Sequence, residues 1–474
     1  MERAPYKKGR SMNMKRWRIL NFLPVLALIT SFSPHIHGAN LNIAIAQSDT
    51  LSLTIEQCIE TALKRNPDII AAYEKVKQAK SQVGEASTAF LPQLTAQAGY
   101  TRLDMAPFFP TSKFAMFGGG GGMPPGEEPI PKKITIGLPD NFSATLQLQQ
   151  PIFTGGKIKN SFDISRLARE ATENSMRITK KELIYRVKNA YWNLVRAKKF
   201  EEVARESERQ LSAHLRDVQS MFDVGMAAKN DLLKSKAYYS KAKMGVIKAR
   251  HAVELAKRNL CNILGIPLEK EIICTTALEE IDTTEIELDA VISKGLSSSP
   301  EIKALECQKK IAQKQLAITR SGYLPDIFFT ANLGYKYPDR EYNKDFYTTW
   351  TVGFYAQMNI FDWGKTAYET ESARSKLKET EVTIKGAKDG IILNITRAYL
   401  SVIEAKKEIE VAKEALEQAE ENYRVTSEKF KEGLVTNTEL LDAQVLLSNA
   451  KTDYSNAFIN YRIAKADLER AIGE

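Results

Sequence analysis

The sequence has few of the residues that usually bind metals or carry out catalysis. Only four cysteines and four histidines occur among 474 residues. The cysteines are Cys58, Cys261, Cys274 and Cys307. Their spacing matches neither a zinc site nor a redox motif. The glycine run Gly118–Gly122 is not followed by Lys-Ser/Thr, so it is not a phosphate-binding loop. We therefore predict a protein that is not an enzyme and that requires no cofactor and no metal.

Beyond its first residues the chain also lacks a long apolar run. A basic stretch ending at Arg18 precedes an apolar segment over 19–32, and Ala44-Ile45-Ala46 offers a small-residue cleavage site. This pattern predicts a secretory signal peptide over 1–46, with an uncleaved interfacial anchor as the alternative. Seven of the basic residues and one acid lie in this leader, so the remainder carries a net charge of +3 rather than +9. A nucleic-acid partner is therefore not indicated.

The remaining candidates for redox or metal chemistry are weak. Cys261 and Cys274 could pair in an oxidising compartment, although the favoured interpretation is that they are small buried apolar residues. Beyond the leader, the histidines are His214 and His251, and both lie on predicted helices without a partner motif. Residues 104–141 are rich in Gly, Pro and Met. Met105, Met116 and Met123 could bind a soft metal there, but a long external loop is the favoured interpretation.

The chain contains one unit twice. Asn66-Pro67 and Leu91-Pro92 return 233 residues later as Ser299-Pro300 and Leu324-Pro325. The segment from Ile152 to Gly265 returns without a gap, 208 residues later. A period this long indicates duplication of a whole unit rather than a solenoid. The predicted division is a first repeat over 47–265, an equatorial linker over 266–290, and a second repeat over 291–474.

Each repeat contains a long helical hairpin, predicted at about 156–264 and 364–472. In the second hairpin, residues at alternating spacings of three and four run from Ile391 to Phe430, and all but Thr426 are apolar. A matching series runs from Leu440 to Leu468 on the returning helix. This heptad pattern is typical of coiled-coil packing. A plain rod-like coiled coil would show the same pattern, so the helices alone do not define a function.

Four segments of about ten residues alternate apolar side chains with Thr, Gln, Ser, Gly and Asn. The predicted strands lie at about 91–103, 141–153, 324–337 and 347–361. Their length, their alternation and the aromatic residues at both ends are typical of transmembrane β-strands. A soluble sheet with one buried face would also alternate. Pro92, Pro151 and Pro325 mark the expected breaks between the strands and the helices.

Four strands cannot close a barrel by themselves. Open sheet edges do not occur in lipid, because each unpaired backbone group costs several kcal/mol there. The chain must therefore oligomerise if it spans a membrane. Two chains would give eight strands, whose interior is filled by side chains. Three chains would give twelve strands and leave room for water.

These features together resemble the TolC-type outer-membrane efflux family, over nearly the whole chain beyond the leader. The best local matches are Asn66-Pro67, Leu91-Pro92, Gln150-Pro151-Ile152-Phe153 and Phe361-Asp362-Trp363-Gly364-Lys365. The resemblance implies an α+β membrane protein. In it, three chains form a twelve-stranded antiparallel β-barrel, with four strands per chain, continuous with a twelve-helix α-barrel of long coiled-coil helices.

The same resemblance implies a function and a set of partners. We expect an outer-membrane exit duct of a tripartite efflux or type I secretion system, with its helical tunnel in the periplasm. The expected partners are two further copies in a homotrimer, a periplasmic adaptor, an inner-membrane transporter and outer-membrane lipid. The alternative from another class is a periplasmic coiled-coil scaffold that never enters a membrane.

The resemblance also assigns roles to the two hairpin tips. The expected adaptor-docking residues are Gly225, Met226, Ala227, Gly433, Leu434 and Val435. Glu439 and Asp442, together with Asp231, are expected to form an acidic ring at the periplasmic aperture. The simpler interpretations are ordinary turns and a solvated helix face. Gated members of the family also carry a Tyr and an Arg here, where this chain has Phe430 and Val435, so we expect the polar tether to be largely absent.

Overall fold

The structure, a computed structural model, describes residues 50–110, 133–135, 137–275, 287–338 and 345–473. All of these residues belong to one compact unit, Thr50–Glu474. The predicted signal peptide, the glycine run, Met116 and Met123 lie outside the described residues.

The helices and strands follow one another in the order of the two predicted repeats. In the first half they are β1 (Thr50–Leu53), α1 (Ile55–Arg65), α2 (Pro67–Thr88), β2 (Gln93–Arg102), β3 (Phe108–Pro110), β4 (Lys133–Thr135), β5 (Asp140–Thr154), α3 (Lys157–Asp223) and α4 (Lys229–Leu264). In the second half they are β6 (Glu271–Cys274), α5 (Leu288–Ser298), α6 (Pro300–Arg320), β7 (Asp326–Tyr337), β8 (Tyr347–Gln357), α7 (Lys365–Lys431) and α8 (Asn437–Ile472).

The lengths of the helices reproduce the duplication. Helices α3 and α7 each have 67 residues, and α4 and α8 each have 36. At 1.5 Å per residue, a 67-residue helix is about 100 Å long. The short helices α1 and α5 each have 11 residues. The two halves of the chain therefore contain helices of matching length, as duplication of one unit implies.

Each repeat closes on itself where the end of its hairpin meets its first two helices. In the first repeat, the Asn66 side chain accepts a hydrogen bond from Asp68 N at 2.8 Å, which caps α2. Its amide nitrogen donates to Ile263 O at 2.8 Å. Gly265 follows with φ +69°, and a Cβ there would lie 2.5 Å from Arg65 O. Only glycine fits this corner, because the conformation is left-handed and the carbonyl is too close.

The predicted heptad seams form the cores of the hairpins. Three clusters along α7 and α8 pack seam residues of one helix against seam residues of the other. They include Ile395 with Leu468, Ile409 with Tyr461, and Ala419 with Leu447. The prediction of an interlocking seam is confirmed.

The four long helices contact one another in the order α4, α3, α8, α7. The two hairpins are therefore joined through α3 and α8. Polar pairs line this junction: Gln444 Nε2 lies 2.5 Å from Gln210 Oε1, and Lys451 Nζ lies 2.7 Å from Glu206 Oε1. The short helices α2 and α6 also pack on α3, and α6 packs on α7.

The four predicted strands form one antiparallel sheet in the order β2-β5-β7-β8. Its register places the four apolar series on the same face, because Ala96, Leu146, Leu333 and Trp350 lie side by side. The opposite face carries the polar series, with Thr95, Gln147, Asn332 and Thr351 in the neighbouring row. A one-residue slip in any strand would mix the two faces.

Two predicted boundaries differ from the structure. The fourth strand was expected to run to about residue 361, but β8 ends at Gln357, because its partner β7 begins at Asp326 and offers no further pairing. Pro151 was expected to break the strand, yet β5 continues through it to Thr154. A register shift between Pro151 and Phe153 accommodates it, as is usual for a proline in a sheet. The chain turns instead at Gly155 and Gly156, which both have positive φ.

The linker predicted over 266–290 contains structure that the sequence analysis missed. Its strand β6 pairs in parallel with β1, from the very start of the first repeat. Helix α5 begins at Leu288, just before the expected end of the linker. This pairing joins the start of the first repeat to the linker through residues more than 200 positions apart.

All four cysteines are free, so Cys261 and Cys274 do not form a disulfide. Three of them, Cys58, Cys261 and Cys307, are buried. Burial raises the pKa of the Cys58 thiol to about 12 and raises the pKa of the other thiols as well. They act as small apolar residues, as favoured from the sequence.

Among the described residues, none of the helices has the length and hydropathy needed to cross a bilayer.

Candidate functional site

Both hairpin tips are built by the same backbone turn. After α3, Gly225 has φ +75°, Met226 N donates to Met221 O at 2.7 Å and Gly225 N donates to Phe222 O at 3.0 Å. After α7, Gly433 has φ +75°, and Leu434 N donates to Lys429 O at 2.9 Å. This is the Schellman arrangement, in which a left-handed glycine ends a helix and satisfies its last carbonyls.

The turns present apolar side chains to their surroundings. Met226 is 77% exposed and Leu434 is 68% exposed. Val224 is exposed as well, whereas Ala227 and Val435 are partly covered. The six residues predicted for adaptor docking thus lie on two protruding turns of similar geometry, each with an uncovered apolar side chain at its end.

Glu439 has a structural role that the sequence analysis did not assign. Its carboxylate accepts hydrogen bonds from Thr436 N at 2.6 Å and Thr436 Oγ1 at 2.9 Å, while Glu439 N donates to Thr436 Oγ1 at 3.3 Å. This capping box begins α8. The hydrogen bonds from Thr436 lower the pKa of the Glu439 carboxyl, so its negative charge persists into mildly acidic solution.

The other two acidic residues of the predicted ring differ in exposure. Asp442 lies one turn further along α8 and is exposed. Asp231 is half-buried in the first turn of α4. Its backbone carbonyl accepts a hydrogen bond from Asn437 Nδ2 at 3.1 Å. The structure thus brings Asp231 next to the start of α8, and the three acidic residues lie near the same end of the hairpins.

A polar cluster at this end joins the two tips. Asn437 is 6% exposed, and its amide nitrogen donates to Asp231 O and, at 3.3 Å, to Ser235 Oγ. Its amide oxygen lies 2.6 Å from His214 Nε2. Because the amide nitrogen is the donor on one side, the oxygen accepts from the imidazole N–H on the other. The cluster therefore binds α3, α4 and α8 to one another.

This cluster lies at the end of the hairpins where we expect the polar tether of the family to be largely absent. Phe430, which stands in the position of the tyrosine, packs edge-on against the His214 ring at 5.2 Å between centroids. Lys234 Nζ donates to Thr438 Oγ1 at 3.1 Å, which adds a further contact between the hairpins. His214 has no partner motif in the neighbouring sequence, because its partner Asn437 is 223 residues away.

A second candidate surface is the apolar face of the sheet, several of whose side chains are exposed in the single chain. Trp350 and Phe354 are 75% and 73% exposed. At one end of the sheet the ring of Phe346 lies 4.9 Å from that of Tyr335 and 5.1 Å from that of Tyr337. The other end carries Ile360, Phe361 and Trp363, all largely exposed. The predicted aromatic groups are thus present at both ends, and Phe346 is a member that sequence reasoning missed.

The proline breaks take different positions. Pro92 directly precedes β2, and Pro325 directly precedes β7. Pro151 lies inside β5, opposite Phe328.

No group of His, Cys, Asp or Glu suited to holding a metal ion occurs among the described residues. Met105 is exposed at the end of a described segment.

Comparison with known proteins agrees with these features. The family model for outer membrane efflux proteins matches residues 58–266 and 291–474. The alkaline protease secretion protein AprF of Pseudomonas aeruginosa is 24% identical over 336 residues, 69% of each chain. The outer membrane protein TolC of Vibrio cholerae is 22% identical over 421 residues, 87% of this chain and 89% of that protein.

The fold has a close counterpart among solved structures. The CmeC outer membrane channel of Campylobacter jejuni has a TM-score of 0.74 at 19% identity, covering 88% of this chain and 85% of that one. The long paired helices and the small sheet therefore define a TolC-like outer-membrane channel fold. The chain belongs to the outer membrane efflux protein family. It is an outer-membrane exit duct of the efflux or type I secretion class, and the family consists of channel proteins rather than enzymes.

Proposed function

We propose that three copies of this chain form one continuous duct, with a shared twelve-stranded barrel in the outer membrane and a shared tunnel of twelve long helices. The observation that supports this proposal is the four-stranded sheet, which has one apolar face, one polar face and two edge strands that have no further partner strand among the described residues. Such edges need pairing before the sheet can enter lipid.

The order of the strands suits closure by identical subunits. Strands β2 and β8 are the two edges, and the alternation of the sheet makes them antiparallel. Strand β8 of one chain can therefore pair with β2 of the next without breaking the antiparallel order. In the closed barrel the polar face, with its Thr, Gln and Asn side chains, would surround water, and the apolar face would meet lipid.

The tips are proposed to dock a periplasmic adaptor that belongs to an inner-membrane transporter. Two similar turns with uncovered apolar ends support this role, since exposed apolar side chains at a protruding end favour a protein contact. Glu439 and Asp442, with Asp231, are proposed to line the aperture, where three copies would concentrate negative potential and favour cations.

Two measurements test the duct. The purified chain in detergent should have the protein mass of three copies, and in planar bilayers it should conduct ions. Two results would contradict the proposal: a monomer, or a trimer that a carbonate wash releases from membranes. Either result would favour the alternative of a periplasmic coiled-coil scaffold.

The docking role has a separate test. A photo-cross-linking residue placed at Met226 or Leu434 in cells should capture a periplasmic protein with a helical hairpin, identified by mass spectrometry. The same residue placed at Tyr368, which is also exposed but lies in the first turn of α7 far from the tips, should not capture that protein. Equal capture at both positions would count against docking at the tips.

A further inference from the structure

In the part of the chain that the structure describes, the order of the long helices leaves one face of each of the two outer helices without a neighbouring long helix. Helices α3 and α8 have a neighbour on both sides, whereas α4 contacts chiefly α3, and α7 contacts α8 and the short helices α5 and α6. In a ring of helices, each helix has a neighbour on both sides. The free faces of α4 and α7 would therefore meet at every boundary between subunits of the proposed homotrimer.

Helix α4 is strongly basic on its free side. It contains nine Lys or Arg residues and two acids. If the residues that pack on α3 are taken as heptad positions a and d, with Leu232 at a, the opposite face consists of positions b, c and f. Lys241 and Lys248 both occupy position c and are exposed. Lys234 also occupies position c, but it already donates to Thr438 within the chain.

Helix α7 is acidic over the corresponding length. Between residues 404 and 428 it contains eight glutamates and four basic residues. With Ile395 at position a, six of these glutamates fall on the free face b, c and f, and all six are exposed. They are Glu404, Glu410, Glu414, Glu417, Glu421 and Glu428. Glu421 and Glu428 pair with Arg424 of the same helix.

The opposite charges lie at similar heights above the tips. Counted from Gly225 at 1.5 Å per residue, Lys241 and Lys248 lie about 24 and 35 Å up the hairpin. Counted from Gly433, Glu417 and Glu414 lie about 24 and 29 Å up. Among the described residues, none of these four has an ion-pair partner within 4.0 Å in the chain.

The two free faces also carry uncovered apolar side chains, which a purely solvated face would not require. On α4, Leu233 and Ile247 are 54% and 50% exposed. On α7, Leu400 and Val411 are 56% and 67% exposed. All four lie on the same b, c and f faces as the charges. The combination of exposed apolar residues with a predominance of basic charge on α4 and of acidic charge on α7 is suited to a specific contact between two different faces.

We propose that the basic free face of α4 in one subunit packs against the acidic free face of α7 in the next, with Lys241 and Lys248 opposite the glutamates around Glu414 and Glu417. This inference rests on the proposed homotrimer and assigns the charged surfaces that hold its helices in register. The contact joins two different faces of the same chain, so repeating it around an axis closes a ring. Each exposed ion pair is weak alone. The same contact is made three times in the ring, so its effect accumulates.

Charge reversal with restoration tests this contact. The double variant Lys241→Glu with Lys248→Glu should lower the temperature at which the detergent-solubilised trimer dissociates, and so should Glu414→Lys with Glu417→Lys. The four changes together should restore most of the loss, because opposite charges face each other again. High salt should reduce all of these differences, since it screens exposed charges.

The matched control is Lys236→Glu with Lys243→Glu. It makes the same charge change on the same helix at position e, where both residues are exposed. This control should shift the dissociation temperature clearly less than the Lys241 and Lys248 variant. If the two variants behave alike, or if the combined variant is no better than either reversal, the inference is wrong.

The outcomes separate this inference from the function on which it rests. If the unmodified chain is not trimeric, the proposed duct itself fails. If it is trimeric and conducts ions but is insensitive to all of these reversals, the duct stands and the charged contact is wrong. If the Lys reversals leave the trimer intact and only abolish cross-linking to the periplasmic partner, the basic face of α4 serves that partner and the inference is overturned.

Discussion

The amide oxygen of Asn437 lies 2.6 Å from Nε2 of His214, and this contact joins the tips of the two hairpins. The residues belong to different repeats and pack with Ser235 and Phe430. A polar contact in which one partner is buried costs free energy to break, so the relative position of the two tips depends on it. The first two predictions concern this contact.

Replacing Asn437 with Ala should loosen the tip. The change removes the acceptor of His214 and the donor to Asp231 and Ser235 in a buried site, which costs about 1–3 kcal/mol locally. Hydrogen exchange in the first turns of α4 and α8 should accelerate by roughly 5- to 150-fold, which corresponds to that energy. The control Asn422→Ala, at an exposed position of α7, should leave hydrogen exchange in the first turns of both α4 and α8 unchanged. Unchanged exchange in Asn437→Ala would show that the contact does not hold the tips.

Acidification should weaken the same contact. Burial is the largest effect on His214 and lowers its pKa below the ordinary value of 6.5, although Asn437 and Asp217 act in the opposite direction. A separated, solvated tip therefore binds a proton below about pH 6.5 that the packed tip does not bind. The packed tip is thus fully stable above that pH and loses stability as the pH falls below it. Hydrogen exchange at the tips between pH 7.5 and 5.5, corrected for its intrinsic pH dependence, should show this loss, and His214→Gln should abolish it.

Glu439 combines a capping role with a charge, and two substitutions should separate them. Glu439→Gln keeps an acceptor for Thr436 and removes the charge, so it should weaken cation selectivity in planar-bilayer recordings while leaving α8 intact. Glu439→Ala should weaken selectivity and also loosen the start of α8, because Thr436 N and Thr436 Oγ1 lose their acceptor. The exposed Asp442→Asn should reduce selectivity without affecting the helix. If all three variants keep the original selectivity, the aperture ring lies elsewhere.

Gly265 should tolerate no side chain. A Cβ would lie 2.5 Å from Arg65 O, a backbone atom that cannot move aside, and φ is +69°. Gly433 has a similar φ of +75° but nothing within 4 Å. Gly433→Ala should therefore cost only about 1–2 kcal/mol for the left-handed conformation, whereas Gly265→Ala should cost clearly more. Thermal unfolding of both variants measures the difference, and equal melting temperatures would contradict the clash.

Much of the local structure could be predicted because it depends on side chains close together in the chain. The seam from Ile391 to Phe430 has helical spacing, and it forms the core between α7 and α8. The alternation in the strands has a period of two, and it places the apolar series on one face. The glycines at both tips follow from the need for positive φ where a helix ends.

The contacts between distant segments could not be predicted in this way. The parallel pairing of β1 with β6 joins two four-residue strands that have no long pattern of their own. The prediction that Pro151 breaks its strand is wrong, because a register shift accommodates a proline in a strand. Whether that shift is possible depends on the partner strand. The partner of His214 became visible only when α8 was packed against α3.

The sequence by itself determined the duplicated unit, the approximate extents of the two long hairpins and the four strands of the main sheet, because periodicity and turn residues act over a few neighbours and repeat visibly along the chain. The family was indicated by the resemblance of its motifs. Only the tertiary structure decided which faces remain free and which polar side chains meet. Those outcomes depend on how segments hundreds of residues apart pack together, since burial and hydrogen bonding reward the best arrangement of the whole chain rather than of any one segment.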